Sequence, residues 1–338
     1  MLLIGEYLNE FKRLSRRGRC LHFAAGSRCD RIIGAHSIQN AGQLSLIEEG
    51  GHVIQVSADL SLMRKNNGNP GWARVGVNRA STFPGFCGKH DNELFESIDN
   101  QALVPNDHQV FLYAYRCVCR EYFVKENAAN LMGEFTKSKQ LPDGLGELVM
   151  ASGIGHSIGF ESLKEHKRRY DESLERAAYS DIQYVCFLSD DPWSIQLSGL
   201  LYPDYDFYGQ CLQDIADPSV TPALITYFTA PVGGGWAFVF AWHRSSSDIC
   251  RQFLSSLAGH CRHGKSPADA LLRMTFSCCE NHAIRPSWWA KLKEEHRISI
   301  TERASLMMDP AVPVPANYLC SGLEDIADWN FENVHSTM

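Results

Sequence analysis

The sequence predicts an α+β protein: a small zinc-bound module over residues 1–100, then residues 101–338 as a helical linker and an α+β domain with an antiparallel sheet. Three observations carry this expectation. Cys20 with Cys29, and Cys87 with His90, are the residue types of a tetrahedral zinc set. Four β-rich runs between 182 and 243, IQYVCFL, WSIQLSGLL, ALITYFTA and GWAFVFAWH, are separated by Asp, Pro and Gly. Helical patterns stand on either side of those runs, over 106–135 and 246–308. A chain of 338 residues gives a soft prior of two domains and can bury a sizeable core.

Taken in order, residues 5–17 predict a short helix, with Leu8, Phe11 and Leu14 three apart. Residues 18–31 read as a loop and a turn, and Ile32 to His36 as a strand. The stretch 44–56, LSLIEEGGHVIQV, predicts two short strands about Gly50 and Gly51. Residues 64–71, RKNNGNPG, predict a loop. Pro84 and Gly85 precede a helix from about Cys87 to Ile98, and NDHQ at 106–109 caps a long one reaching Phe135. Pro142 and several glycines place a boundary or ordered loop at 136–156, before a charged helical segment at 161–179. There is no internal repeat and no low-complexity tract.

Composition narrows the function classes. Hydrophobic residues are 44% and charged residues 21%, and the formal net charge is −7, which is ordinary for a globular protein. A whole-chain basic signature for nucleic acid is absent. The charge is unevenly spread, however. Residues 11–31 hold Lys12, Arg13, Arg16, Arg17, Arg19, Arg28 and Arg31 against Asp30 alone, and 64–90 hold Arg64, Lys65, Arg74, Arg79 and Lys89 with no acid. That suits contact with a polyanion; a solvated basic face is the competing reading. The apolar run before Glu6 is too short for a secretory leader, and no run approaches a membrane span. The expectation is a cytoplasmic protein with no membrane partner, whose twelve cysteines are metal ligands, reactive groups or small core residues rather than disulfides.

The chemistry is concentrated in two segments, Cys20-LHFAAGSR-Cys29-DRIIGA-His36 and Phe86-Cys87-GK-His90-Asp91. Cys87 and His90, three apart, converge on one side of a helix start, while Cys20 and Cys29 supply two more ligands from a loop. His22 is an alternative to one of that pair. This arrangement resembles the zinc-bearing branch of the HNH (ββα-metal, treble-clef-like) endonucleases over residues 18–98: a cysteine pair, a strand ending in histidine, then a Cys-x-x-Cys-like motif opening a helix, with His90 in place of the second cysteine. The resemblance implies that His36 is the general base activating water. It implies that Asp91 helps hold a catalytic Mg²⁺ or Mn²⁺, and that Asn92 or Asn40 orients His36 or touches the phosphate.

The activity implied is hydrolysis of nucleic-acid phosphodiesters, DNA first, with the larger domain meeting a protein partner or sensing a trigger. A bacterial defence or mobile-element setting follows only by family analogy. One departure matters. Ala35 stands where many such proteins carry an acid or a second histidine before the catalytic one. Glu48, Glu49 or His52 would have to substitute, or no catalytic ion binds. The alternative is a non-catalytic zinc module that binds nucleic acid or protein.

Other candidates favour plain readings. The cluster His260, Cys261, His263, Cys278, Cys279 and His282 has irregular spacing for zinc. Cys117 and Cys119 point to different helix faces. Gly233 to Gly235 read as a hairpin turn, not a phosphate loop. Asp190, Asp191, Asp204 and Asp206 fit turns, and Trp236, Trp242, Trp288 and Trp289 fit a core or an interface.

Overall fold

Eight strands in the order β10-β5-β8-β7-β6-β9-β2-β3 form one antiparallel sheet, and the helices lie on both of its faces. The computed structural model describes residues 2–57, 60–66, 69–136, 145–306 and 313–338. In chain order the elements are α1 (Leu2–Arg16), β1 (Ile32–His36), a π turn (Asn40–Leu44), a single helical turn α2 (Ser45–Ile47), β2 (His52–Ser57), α3 (Leu60–Lys65), β3 (Gly71–Gly76), β4 (Thr82–Cys87) and α4 (Gly88–Asp99). Then come α5 (Asp107–Phe135), α6 (Leu145–Glu175), β5 (Ile182–Ser189), β6 (Ile195–Leu201), β7 (Ile225–Val232), β8 (Gly235–His243), α7 (Ser247–Arg262), α8 (Pro267–Cys278), β9 (His282–Ile284), α9 (Pro286–Lys291), α10 (Glu294–Ser305) and β10 (Asn333–Ser336). Among the described residues no helix is long and apolar enough to cross a membrane.

The four β-rich runs became β5 to β8. They are apolar almost throughout because both faces of the sheet are covered. Along β8 the side chains alternate between two cores. Trp236, Phe238, Phe240 and Trp242 meet α7, α8 and the segment from Tyr318 to Trp329; Ala237, Val239 and Ala241 meet α5 and α6. The β7–β8 turn is Gly233-Gly234, with Gly234 left-handed at φ 89°. Gly235 is required by close approach, since a Cβ there would lie 2.0 Å from the Ser189 carbonyl oxygen.

Helix α5 runs through the interior. Its start is capped by Asn106, whose side chain accepts from Gln109 N at 2.9 Å. Every residue from Gln109 to Cys119 is buried, so both sides of the helix are in contact with protein.

Three expectations need correction. The stretch 44–48 is not a strand. Leu44 and Ile47 are three apart and both fully buried, in a cluster with Ile38, Val53 and Ala283, which a helical turn satisfies and an alternating strand does not. Gly50 and Gly51 do form a tight turn, with φ 59° and 76°, but the strand it starts, β2, pairs with β3. The loop expected at 64–71 begins later, because α3 runs through Lys65. Of the loop expected at 136–156, residues 137–144 lie outside the described residues and 145–156 are the start of α6. Of the glycines there, Gly153 serves helix contact. A Cβ on Gly153 would come within 3.3 Å of Thr136 Cγ2 at the end of α5.

Candidate metal centre

Strands β1 and β4 form a separate antiparallel pair, Ile32 opposite Cys87 and His36 opposite Thr82, with an irregularity at Gly34. Helix α4 follows β4 directly. Residues before β1 lie along β4, where Arg19 N donates to the Pro84 carbonyl and Leu21 N to the Gly85 carbonyl. Lys167 of α6 fixes this loop by donating to the Leu21 carbonyl at 2.8 Å, and its charge is balanced by Asp171.

This folding brings Cys20, Cys29, Cys87 and His90 together. Their four ligand atoms lie within 4.8 Å of one another. The His90 Nδ1 sits 3.4, 3.5 and 3.4 Å from the sulfurs of Cys20, Cys29 and Cys87. A tetrahedral zinc with its usual bond lengths would set such N···S edges at about 3.6 Å. The donor set, three soft sulfurs and one imidazole, suits zinc as well. The group could therefore hold a structural zinc. His22 is not part of it. It stacks on His90 with centroids 4.3 Å apart and planes 7° apart, and its Nδ1 accepts from Ala24 N.

His36 closes β1 at the other end of the β1–β4 pair. Its Nε2 is buried with no hydrogen-bond partner. Burial first, then the Arg116 charge, holds the imidazole below its ordinary pKa, with Val77 and Asp99 opposing. Asp91 is in the first turn of α4, half-buried, and burial pushes its carboxyl up to about 6. Arg116 opposes that shift and Asp99 adds to it.

Asp91, Phe95 and Asp99 are four apart and share one face of α4. Arg116 of α5 lies over that face, 4.0 Å above the Phe95 ring, and is ion-paired to Asp99. His36 and Asp91 thus share two charged neighbours, Arg116 and Asp99.

The remaining sequence candidates separate. Asn92 is exposed on α4. Asn40 donates to Asn78 Oδ1 at 3.0 Å. Glu48 accepts from Gly51 N, and His52 Nδ1 donates to the Gly50 carbonyl, so both serve the glycine turn. Glu49 is bridged through its backbone to His52 in that same turn. Among the described residues the Cys₃His set is the one group of three or more potential ligands this close, so no partner set compensates for Ala35 by that measure.

The second Cys/His cluster does not assemble. His282 donates to the Cys279 carbonyl, Cys278 faces the Tyr318 hydroxyl, and His260 packs beside Phe207 and Tyr208. Asp206 accepts from Tyr208 N and Gln210 N, the work of a turn residue. Trp236, Trp242 and Trp288 are core, and Trp289 packs on Trp72.

Asp99 and Arg116 were not singled out from the sequence. A signal existed for Arg116, the one charged residue in the apolar run VFLYAYRCVC. Comparison with family models, with curated proteins and with solved structures found no match, so the chain is characterised by its own residues: an α+β fold carrying a Cys₃His group beside a group of charged and titratable side chains, His36, Asp91, Asp99 and Arg116.

Proposed function

We propose that this protein is a metal-dependent endonuclease that hydrolyses nucleic-acid phosphodiesters, DNA in the first instance. The observation that carries the reading is the state of His36. Its Nε2 is buried and has no hydrogen-bond partner within the protein. A general base needs a ring nitrogen that no other group occupies, free to take a proton. Its depressed pKa keeps it in the basic form at neutral pH.

In this reading Nε2 accepts a proton from water as the water oxygen attacks phosphorus. Asp91 holds a Mg²⁺ or Mn²⁺, which when bound would stabilise charge on the phosphoryl oxygens and the leaving oxygen. The exposed Arg17, Arg31 and Arg79 favour a polyanionic substrate. The Cys₃His zinc keeps the β1–β4 pair and α4 in register, and residues 101–338 meet a protein partner or a trigger.

Plasmid nicking with Mg²⁺ or Mn²⁺ tests this, with His36→Ala as the comparison. Nicking by wild type that the variant loses supports the reading, and equal nicking by both overturns the role of His36. A second reading, a non-catalytic module that binds nucleic acid or protein, is favoured by one observation. Ala35, where a metal-binding acid would stand, is 2% exposed in an apolar core. DNA binding without cleavage by either protein would select it.

A further inference from the structure

A cavity of about 230 Å³ opens where α5, the end of β6 and the C-terminal end of α8 meet, on residues that the reading above does not use. Glu121 and Lys125 of α5, Tyr202 and Asp204 beyond β6, and Glu280 after α8 line it. Three of these are carboxylates and one is an ammonium. Arg120 backs Glu121 in an ion pair. Asp204 accepts from the Tyr205 N–H at 2.8 Å and the Tyr318 hydroxyl at 3.1 Å, and burial holds its carboxyl above the usual range.

Two further features point to a ligand. The Tyr202 hydroxyl is buried and has no partner, and burial, then the Glu121 charge, keeps that phenol protonated. A buried hydroxyl without a partner carries a desolvation cost that a bound polar group would relieve. In addition, Ser277 and Cys278 end the twelve-residue helix α8 at the cavity wall, so its negative dipole end faces the space. The floor is aliphatic, formed by Leu200, Leu201 and Ile215.

We infer that this cavity binds a small aliphatic cation, a primary amine or a guanidine, with its charge among Glu121, Asp204 and Glu280 and its carbon chain on the leucine floor. An anion is disfavoured by the carboxylates and the helix end. A bare metal ion would need ligands converging on one point, and no three of these residues form such a group among the described residues. The volume is below the ~300 Å³ at which drug-sized pockets begin, which limits the ligand to roughly ten heavy atoms.

Calorimetric titration of the full chain with putrescine, cadaverine and agmatine tests this, with 1,4-butanediol as the uncharged control. Saturable binding of at least one amine to a single site is expected, and none of the diol. Glu280→Gln, at the exposed rim, should weaken binding by about tenfold or more. Tyr202→Phe should weaken it by a smaller factor, and Glu147→Gln, on a distant exposed surface, should leave it unchanged. No saturable binding of any of the amines up to about 10 mM, or equal affinity in Glu280→Gln, overturns the inference. Neither outcome bears on nicking or on His36.

Discussion

Arg116 grips Asp99 through two parallel hydrogen bonds, Nη1 to Oδ1 at 2.8 Å and Nη2 to Oδ2 at 2.9 Å. The two partners sit in different surroundings. The Arg116 side chain is 3% exposed and that of Asp99 33%. Removing one partner of a buried pair strands the other, and the cost depends on whether the stranded charge can reach water. Arg116→Met leaves Asp99 able to rehydrate and should cost about 1–2 kcal/mol. Asp99→Asn leaves a guanidinium enclosed and should cost about 3–5 kcal/mol. Urea unfolding of both variants measures this, and the reverse order would refute the account.

The Cys₃His geometry gives a stoichiometric expectation. Purified protein should carry one zinc per chain, and Cys87→Ala should carry none and melt at a lower temperature, because structural zinc binding contributes directly to folding. Metal analysis by mass spectrometry decides it. Unchanged zinc content in the variant would remove these four residues as the site.

Acid sensitivity has an identifiable source. His282 is fully buried, its Nδ1 donates to the Cys279 carbonyl at 2.7 Å, and burial lowers its pKa to about 4. His166 is lowered to about 4 by burial in the same way. A histidine whose folded pKa lies below its unfolded value binds fewer protons folded than unfolded. Stability is therefore full above the unfolded value near 6.5 and falls as pH drops from there toward 4. Each such group should cost on the order of 2–3 kcal/mol across that window. In His282→Gln the difference in urea midpoint between neutral and acid conditions should shrink. An undiminished difference would assign the acid loss to other groups.

Gly235 offers a steric test. A Cβ would meet the Ser189 carbonyl oxygen at 2.0 Å, and backbone on a central strand cannot move aside cheaply. Gly235→Ala should cost about 3 kcal/mol or more, whereas Gly233→Ala, with nothing within 4 Å, should be mild. Chemical denaturation of the two variants compares them directly.

How far the sequence could be read depended on whether a residue's role is local. Cys20, Cys29, Cys87 and His90 were legible because zinc dictates residue types whatever the fold. Strands β5 to β8 were legible because a doubly covered sheet needs long apolar runs. The start of α6 was not, since Gly153 answers to the end of α5 rather than to its own segment. Strand β10 was missed because its four residues are all exposed and carry no alternation. The Asp99–Arg116 pair escaped because it joins two helices, and no single-segment pattern marks a partner on another element.

The route of the chain between the two halves of the metal site has a consequence for synthesis. After β1 the chain leaves at Ser37, builds β2 and β3 into the large sheet beside β9, and returns only at Ser81 to form β4. During translation Cys20 and Cys29 emerge well before Cys87, and β2 meets β3 early but gains its other neighbour, β9, only when residues 282–284 leave the ribosome. The thiols of Cys20 and Cys29 therefore stay open to oxidation or to the wrong metal until Cys87 and His90 have emerged, and a chaperone that shields them early should raise the yield of correctly loaded protein.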